Sequence, residues 1–213
     1  MDELYIIGAS GFGREVAWLI ENTNDYQIKG FIDDNINIRN TSINGYPVIG
    51  DINHLKKIEN KINVVIAIGN PIIRNQIVET LSHNPNINFP NIIANDVIIH
   101  KSIQLGSGNI ICAGSILTTN ITIGSFNHIN LLNTIGHDCI LDDFITIYPG
   151  CNISGNVRIS SHSEIGTGTK IIQGMNITSE TIIGAGSVVV KDIGLSGTYV
   201  GVPVKKIYHQ ERK

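Results

Sequence analysis

The chain has 213 residues, 42% of them hydrophobic, enough for a core in one large domain or two small ones. Its 18 acidic and 15 basic side chains leave a net charge of -3 with no basic stripe or polybasic patch, which argues against nucleic acid and membrane surfaces as partners. No apolar run approaches the roughly 20 residues of a membrane span, and Met1-Asp2-Glu3 enters a short strand with no positive, apolar leader. No signal peptide, no membrane insertion and a cytoplasmic location are therefore expected. Cys112, Cys139 and Cys151 are odd in number and form no CxxC pair, which fits buried thiols in a reducing compartment better than a disulfide or thiolate-zinc framework.

Residues 1–90 predict an α/β, Rossmann-like βαβαβ domain. Leu4 to Ile7 reads as a strand, Gly8-Ala9-Ser10-Gly11-Phe12-Gly13 as a glycine loop, and the stretch from about Arg14 to Glu21 as a helix. A second strand, Gln27 to Ile32, ends at Asp33-Asp34. The β-branched run Val64 to Ile68 is a third, followed by Gly69-Asn70-Pro71 and a helix over 71–82. A glycine loop between strand and helix gathers backbone N–H groups and the helix dipole, which favours a phosphate at Gly8, Ser10, Gly11 and Gly13. The acidic pair Asp33 and Asp34, about 20 residues on, could bind a ribose hydroxyl. The spacing is GxxGxG and the sheet is half the size a dinucleotide needs, so a single nucleotide is the expected ligand. The alternative is that the glycines only make a tight turn.

From Ile93 to Val189 an aliphatic residue recurs at every sixth position, seventeen times without a break, through Ile111, Ile129, Ile147 and Ile165. Six residues suit one flat strand and one corner, and three such faces close a triangular coil of 18 residues. Residues 91–197 are thus a parallel β-helix of nearly six coils. Gly106, Gly124, Gly136, Gly166 and Gly184 each follow the aliphatic position, where small size or a permissive φ is expected to let the chain turn a corner. A solenoid of this kind needs capped ends. Residues 198–213, with Gly201 and Pro203 ahead of Lys205, Lys206 and Ile207, are expected to form a turn and a short closing helix as the C-terminal cap.

Of seven histidines, His54, His83 and His209 lie in ordinary surface contexts, whereas His137 follows Asn130-Leu131-Leu132-Asn133-Thr134-Ile135-Gly136 and precedes Asp138. A carboxylate beside an imidazole holds one tautomer and raises its basicity, as a general base requires. One coil onward is Gly155, whose N–H would lie one strand spacing away and could stabilise an oxyanion. The pair could equally be exposed polar residues at a corner. His128, His137 and His162 are separated by 9 and 25 residues, neither of them the coil period, so converging zinc ligands, and a metal site of any kind, are not expected.

The hexapeptide repeat, the Gly8–Gly13 loop running into Arg14-Glu15, Phe31-Ile32-Asp33-Asp34, Gly136-His137-Asp138-Cys139, Ile183-Gly184-Ala185-Gly186-Ser187 and Gly201-Val202-Pro203 span essentially the whole chain. Together they resemble the hexapeptide-repeat sugar acetyltransferases of the sialic acid O-acetyltransferase and bacillosamine or perosamine N-acetyltransferase type. The resemblance implies a left-handed β-helix, a homotrimer, and acetyl-CoA as co-substrate in the groove between neighbouring β-helices. It implies His137 as base, Asp138 as its orienting acid and Gly155 as the amide that meets the acetyl carbonyl. Gly8, Ser10, Gly11, Gly13, Asp33 and Asp34, with Asn130, would contact the sugar nucleotide. Gly155, Gly184, Ala185, Gly186, Lys191 and Pro203 would contact acetyl-CoA.

The expected acceptor is the amine of a UDP- or GDP-linked 4-amino-dideoxy sugar; N-acetylating members often carry histidines where this chain has Phe12 and Thr146, so the hydroxyl of sialic acid or another sugar is the alternative. A non-catalytic nucleotide-sensing or scaffold module, and a nicotinamide-dependent enzyme, are the other readings. Direct transfer in a ternary complex, without a covalent enzyme intermediate, is the expected mechanism, in surface glycan biosynthesis.

Overall fold

A computed structural model describes residues 1–208. The chain divides into two compact units, Met1–Asn95 with Ser107–Asn109, and Asp96–Gly106 with the residues from Ile110 onward.

The first unit is a six-stranded sheet of β1 (Asp2–Ile7), β2 (Tyr26–Ile32), β3 (Ser42–Ile43), β4 (Tyr46–Gly50), β5 (Ile62–Ile66) and β6 (Ile87–Asn88), in the order β3-β4-β2-β1-β5-β6. All neighbours run parallel except the β3–β4 hairpin. Leu4, Ile6, Ile7, Phe31, Ile32, Val64, Val65 and Ile66 are buried, as expected of parallel strands covered on both faces. Helix α1 (Gly11–Thr23) buries Val16, Ala17, Leu19 and Ile20. Helix α2 (Ile52–Lys56) begins at Asp51, whose side chain accepts from Asn53 N, and α3 (Pro71–Leu81) at Asn70, whose side chain accepts from Ile72 N and Ile73 N. The central strand β1 has β2 on one side and β5 on the other, so its C-terminal end is the crevice where open α/β sheets bind ligands.

The second unit is a left-handed parallel β-helix. Its strands are mostly two-residue segments whose partners lie 18 residues away, for example Thr134↔Asn152 and Ile135↔Ile153. The aliphatic row is buried from Ile111 to Val189, each fully buried side chain contributing roughly 1.5–3 kcal/mol relative to exposure. Ile93, Ile99 and Leu105, at the start of the repeat, are not fully buried.

At the corners, small size and permissive φ fall on different positions. Left-handed φ values fall three residues after the aliphatic position, at every sixth residue from Gly108 to Gly186, and include Asn120, Asp138 and Asn156. The glycine directly after the aliphatic serves close approach instead: a Cβ on Gly136 would stand 2.6 Å from Gly155 N in the next coil. Bulky residues also occupy the left-handed positions on one edge, at a cost of about 1–2 kcal/mol each. There the Phe126, Phe144 and His162 rings stack at 5.2 and 5.4 Å, which offsets part of that strain.

The C-terminal cap is not helical within the described residues. Gly197–Val200 pairs parallel with Thr181–Ile183, and Lys205–Ile207 folds back antiparallel on Gly197–Val200. The β-favouring Thr198, Tyr199 and Val200 extend an available sheet edge, and that edge outweighs local helix preference in the next segment. The rest of the expected cap, residues 209–213 with His209, lies outside the described residues.

Candidate active site

His137 and Asp138 sit at one corner of the β-helix, and Asp138 takes the left-handed position with φ 60°. That bend turns its carboxylate back onto the preceding ring: His137 Nδ1 and Asp138 Oδ2 are 2.7 Å apart. An ionised carboxylate only accepts, so Nδ1 carries the proton and Nε2 keeps its lone pair. The hydrogen bond from His137, then that from Asn120 Nδ2 to Oδ1 at 3.3 Å, hold the Asp138 carboxyl below the usual carboxylate range. Both side chains are about half exposed, open to an incoming substrate.

Gly155, one coil on, lies beneath the imidazole. A Cβ there would stand 2.5 Å from both His137 Cε1 and Nε2, so only glycine leaves the ring in place. The Gly155 N–H has no acceptor among the described residues although the residue is buried. Buried amides without partners are rare, so this one is free to take an acceptor. The result is a basic nitrogen and an open N–H donor side by side, as proton removal and oxyanion stabilisation require.

Asn120 is a residue that sequence reading missed. It stands one coil before Asp138, its backbone N donates to Ser102 Oγ at 2.9 Å, and Ser102 Oγ lies 2.8 Å from His100 Nδ1. The 18-residue period was the available signal: applied backward from Asp138, it reaches Asn120.

The remaining expected residues fall into separate places. In the first unit, Gly8 has φ 98° and a Cβ on Gly13 would overlap its carbonyl, so the strand turns tightly into α1. Ser10, at the N-cap of α1, makes no side-chain capping bond. Asp33 is committed to the loop, Oδ2 accepting from Ala9 N and Oδ1 from Asn35 N, each at 2.9 Å. Asp34 Oδ1 accepts from Ile52 N at 3.2 Å. Gly8, Asp33 and Asp34 line a cavity of about 160 Å³ with Ile7, Ile32, Ile52, Ile68, Ile73 and Ile77. Ligand sites usually measure about 300–1,000 Å³, so this cavity suits one part of a nucleotide. Gly11 stands apart in the first turn of α1. The fully buried Arg74 donates to the carbonyls of Ile68 at 2.7 Å and Gly69 at 3.1 Å, fixing the loop that closes the cavity.

Asn130 is half-buried and bonded within its own corner, its Oδ1 accepting from Leu131 N at 2.7 Å and its carbonyl from Asn133 Nδ2 at 2.7 Å. Thr146 is buried between His128 and Glu164 in the stack. Gly184, Ala185 and Gly186 form the corner after Thr181–Ile183, on a different edge of the coil from Gly155, which follows Asn152–Ile153. Lys191 is exposed, and Pro203 follows a cis Val202-Pro203 bond in the terminal hairpin. Lys206 donates to Ser196 O at 2.7 Å and lies about 6 Å over the Tyr199 and Tyr208 rings, so its charge is used within the cap. Among the described residues no group of three His, Cys, Asp or Glu could hold a metal ion, and no helix is long and apolar enough to cross a membrane.

Residues 3–81 match the PglD N-terminal domain. Over 179 residues the chain is 32% identical to the GDP-perosamine N-acetyltransferase of Escherichia coli O157:H7, covering 79% of this chain and 77% of that protein. The acetyltransferase domain of PglB from Neisseria gonorrhoeae, solved alone and with acetyl coenzyme A, superposes with a TM-score of 0.90 at 32% identity, over 97% of this chain and at least 99% of that one. PerB from Caulobacter crescentus, solved with CoA and GDP-perosamine, gives a TM-score of 0.89 at 26% identity, with 98% of each chain covered. With an imidazole and an open amide at one β-helix corner and relatives of this kind along its length, the chain belongs to the acetyl-CoA-dependent sugar N-acetyltransferase family.

Proposed function

We propose that the protein transfers the acetyl group of acetyl-CoA to the amine of a UDP- or GDP-linked 4-amino-dideoxy sugar in surface glycan biosynthesis. The observation that carries this reading is the open Gly155 N–H beside an imidazole whose Nδ1–H is committed to Asp138. His137 Nε2 takes a proton from the amine, and the nitrogen forms a bond to the thioester carbonyl carbon. The carbonyl oxygen becomes an oxyanion that accepts from Gly155 N–H. Collapse breaks the C–S bond, and the thiolate of CoA recovers the proton from His137, leaving an amide and a free thiol. Base and donor face the reacting atoms directly, so no acyl-enzyme is needed.

The glycine loop and the α1 N-terminus receive the diphosphate, and the cavity under Asp34 receives the nucleoside, with Asp33 holding the loop's shape. Gly184, Ala185, Gly186, Lys191 and Pro203 serve acetyl-CoA. Gly184, Ala185 and Gly186 lie on a different edge from Gly155, whereas Lys191 lies on the same edge two coils on, and that spread over two edges is the reason to place the coenzyme between adjacent copies in a homotrimer. A cytoplasmic location follows from the substrates, since acetyl-CoA and nucleotide sugars are made there.

The test follows thiol release from acetyl-CoA with UDP- and GDP-linked 4-amino sugars and with sialic acid, comparing wild type with His137→Ala. Release with an amino-sugar nucleotide that the substitution abolishes supports the reading. Release with sialic acid alone would replace it by O-acetylation.

A further inference from the structure

We propose that Cys139, inside the coil, is a positioning residue for the transfer step: its thiol anchors the Ser154–Gly155 peptide so that the Gly155 N–H stays aimed at the oxyanion. The proposal rests on the reading of Gly155 as the oxyanion donor.

A trans peptide is planar, with its C=O and N–H pointing in opposite directions. Whatever fixes the carbonyl of Ser154 therefore fixes the direction of the Gly155 N–H. Cys139 is fully buried, and its Sγ donates to Ser154 O at 3.1 Å from the interior of the coil. Burial pushes the thiol's pKa up, so it keeps its proton at neutral pH and remains a donor. On the other side of Gly155, the Asn156 N–H donates to His137 O at 2.7 Å. The turn that presents the base thus also grips the peptides on both sides of Gly155, the donor peptide through Ser154 O and the next one through Asn156 N.

The same bond recurs elsewhere in the solenoid. Ser115, Cys151, Ser163 and Thr169 donate to the carbonyls of Asn130, Gly166, Thr178 and Gly184, each fifteen residues on. Of these anchored peptides, only Ser154–Gly155 lies against the ring of His137. The fold does not demand a donor in the Cys139 column either, because the positions 18 residues before and after it are the buried aliphatics Ile121 and Val157. A generic packing role is therefore filled as well by valine, whereas an orienting role is not.

These neighbours define the experiment. Wild type, Cys139→Val, Cys139→Ser and Cys151→Val are compared in steady-state thiol release with the amino-sugar nucleotide that the wild type turns over, alongside thermal melting of each. Cys139→Val is expected to lose about five- to tenfold in kcat, the loss of one net hydrogen bond in orienting an oxyanion donor, with both KM values within about twofold. Cys139→Ser, which keeps a donor as Ser115 and Ser163 do, should restore kcat. Cys151→Val removes the same kind of bond at another corner and should leave kcat unchanged. Equal kcat losses in the two valine variants, or full kcat in Cys139→Val, would overturn the orienting role. A wild type silent on every amino-sugar nucleotide would instead remove the reading beneath it, and the proposal with it.

Discussion

Replacing Gly155 by alanine separates the chemistry from the fold. The built Cβ stands 2.5 Å from Cε1 and Nε2 of His137, where carbon contacts settle at about 3.5–4.0 Å, so the ring must retreat by about 1 Å or more. Its backbone φ lies outside the left-handed region, so alanine adds no strain of its own. The half-exposed imidazole is free to swing, and the melting temperature should move by no more than a few degrees. Swinging it, however, pulls Nδ1 from the 2.7 Å bond to Asp138 and fills the space where the thioester carbonyl must meet the Gly155 amide. A displacement of about 1 Å at a reacting group costs on the order of 10²-fold, and loss of the base adds toward 10³. Stopped thiol-release kinetics at saturating substrates should show kcat reduced roughly 10²- to 10³-fold in a protein of near-native stability. A kcat within twofold of wild type would refute the placement of the reaction above Gly155.

Other substitutions probe the groups around that point. Asp138→Asn leaves a side chain that can donate to Nδ1 and so present the wrong tautomer, and kcat should fall at least about tenfold with acetyl-CoA binding by calorimetry unchanged. Asn120→Ala removes one of the two hydrogen bonds that hold Asp138 down, so the Asp138 carboxyl should titrate closer to its ordinary value when followed by carbon NMR. Because that pKa is depressed in the folded protein, the contribution of the carboxylate is present above the unfolded value and is lost as pH falls through the folded one. The variant should therefore lose its Asp138–His137 bond at a higher pH than wild type. Asp33→Ala leaves the amides of Ala9 and Asn35 without their acceptor; it should raise KM for the sugar nucleotide about tenfold, with KM for acetyl-CoA unchanged.

The β-helix was legible because its interior demands one aliphatic at every sixth residue, a constraint that no loop insertion interrupts between Ile93 and Val189. The same period placed Gly155 one coil beyond His137. The corners were harder to read. Glycine after the aliphatic suggested small size or a permissive φ; small size is the reason, set by the next coil's backbone, while the positive φ falls two residues further on, on Asn, Asp, Phe, Leu, His and Glu as well as Gly. No composition rule singles out that position, since stacking of Phe126, Phe144 and His162 compensates locally.

In the N-terminal unit β1, β2 and β5 follow from apolar stretches such as Ile6-Ile7, Phe31-Ile32 and Val64-Val65-Ile66, whereas β3 and β6 are two-residue strands defined by pairing. Arg74 gave no signal at all: a lone arginine in an amphipathic helix reads as surface, and its bonds to the carbonyls of Ile68 and Gly69 depend on the folded loop. The terminal hairpin was misread because its strands depend on the edge offered by Thr181–Ile183, a tertiary feature absent from local preference.

The most direct test of the account is the bond formed in the product. The protein is incubated with acetyl-CoA and a UDP- or GDP-linked 4-amino sugar, and the purified product is treated with neutral hydroxylamine and examined by carbon–proton correlation NMR. An acetyl group that survives hydroxylamine, with its carbonyl coupled through nitrogen to the amino-bearing carbon, is the predicted result. An acetyl group released by hydroxylamine and coupled to a hydroxyl-bearing carbon, or no acetylated sugar nucleotide while wild type turns over another acceptor, would contradict it.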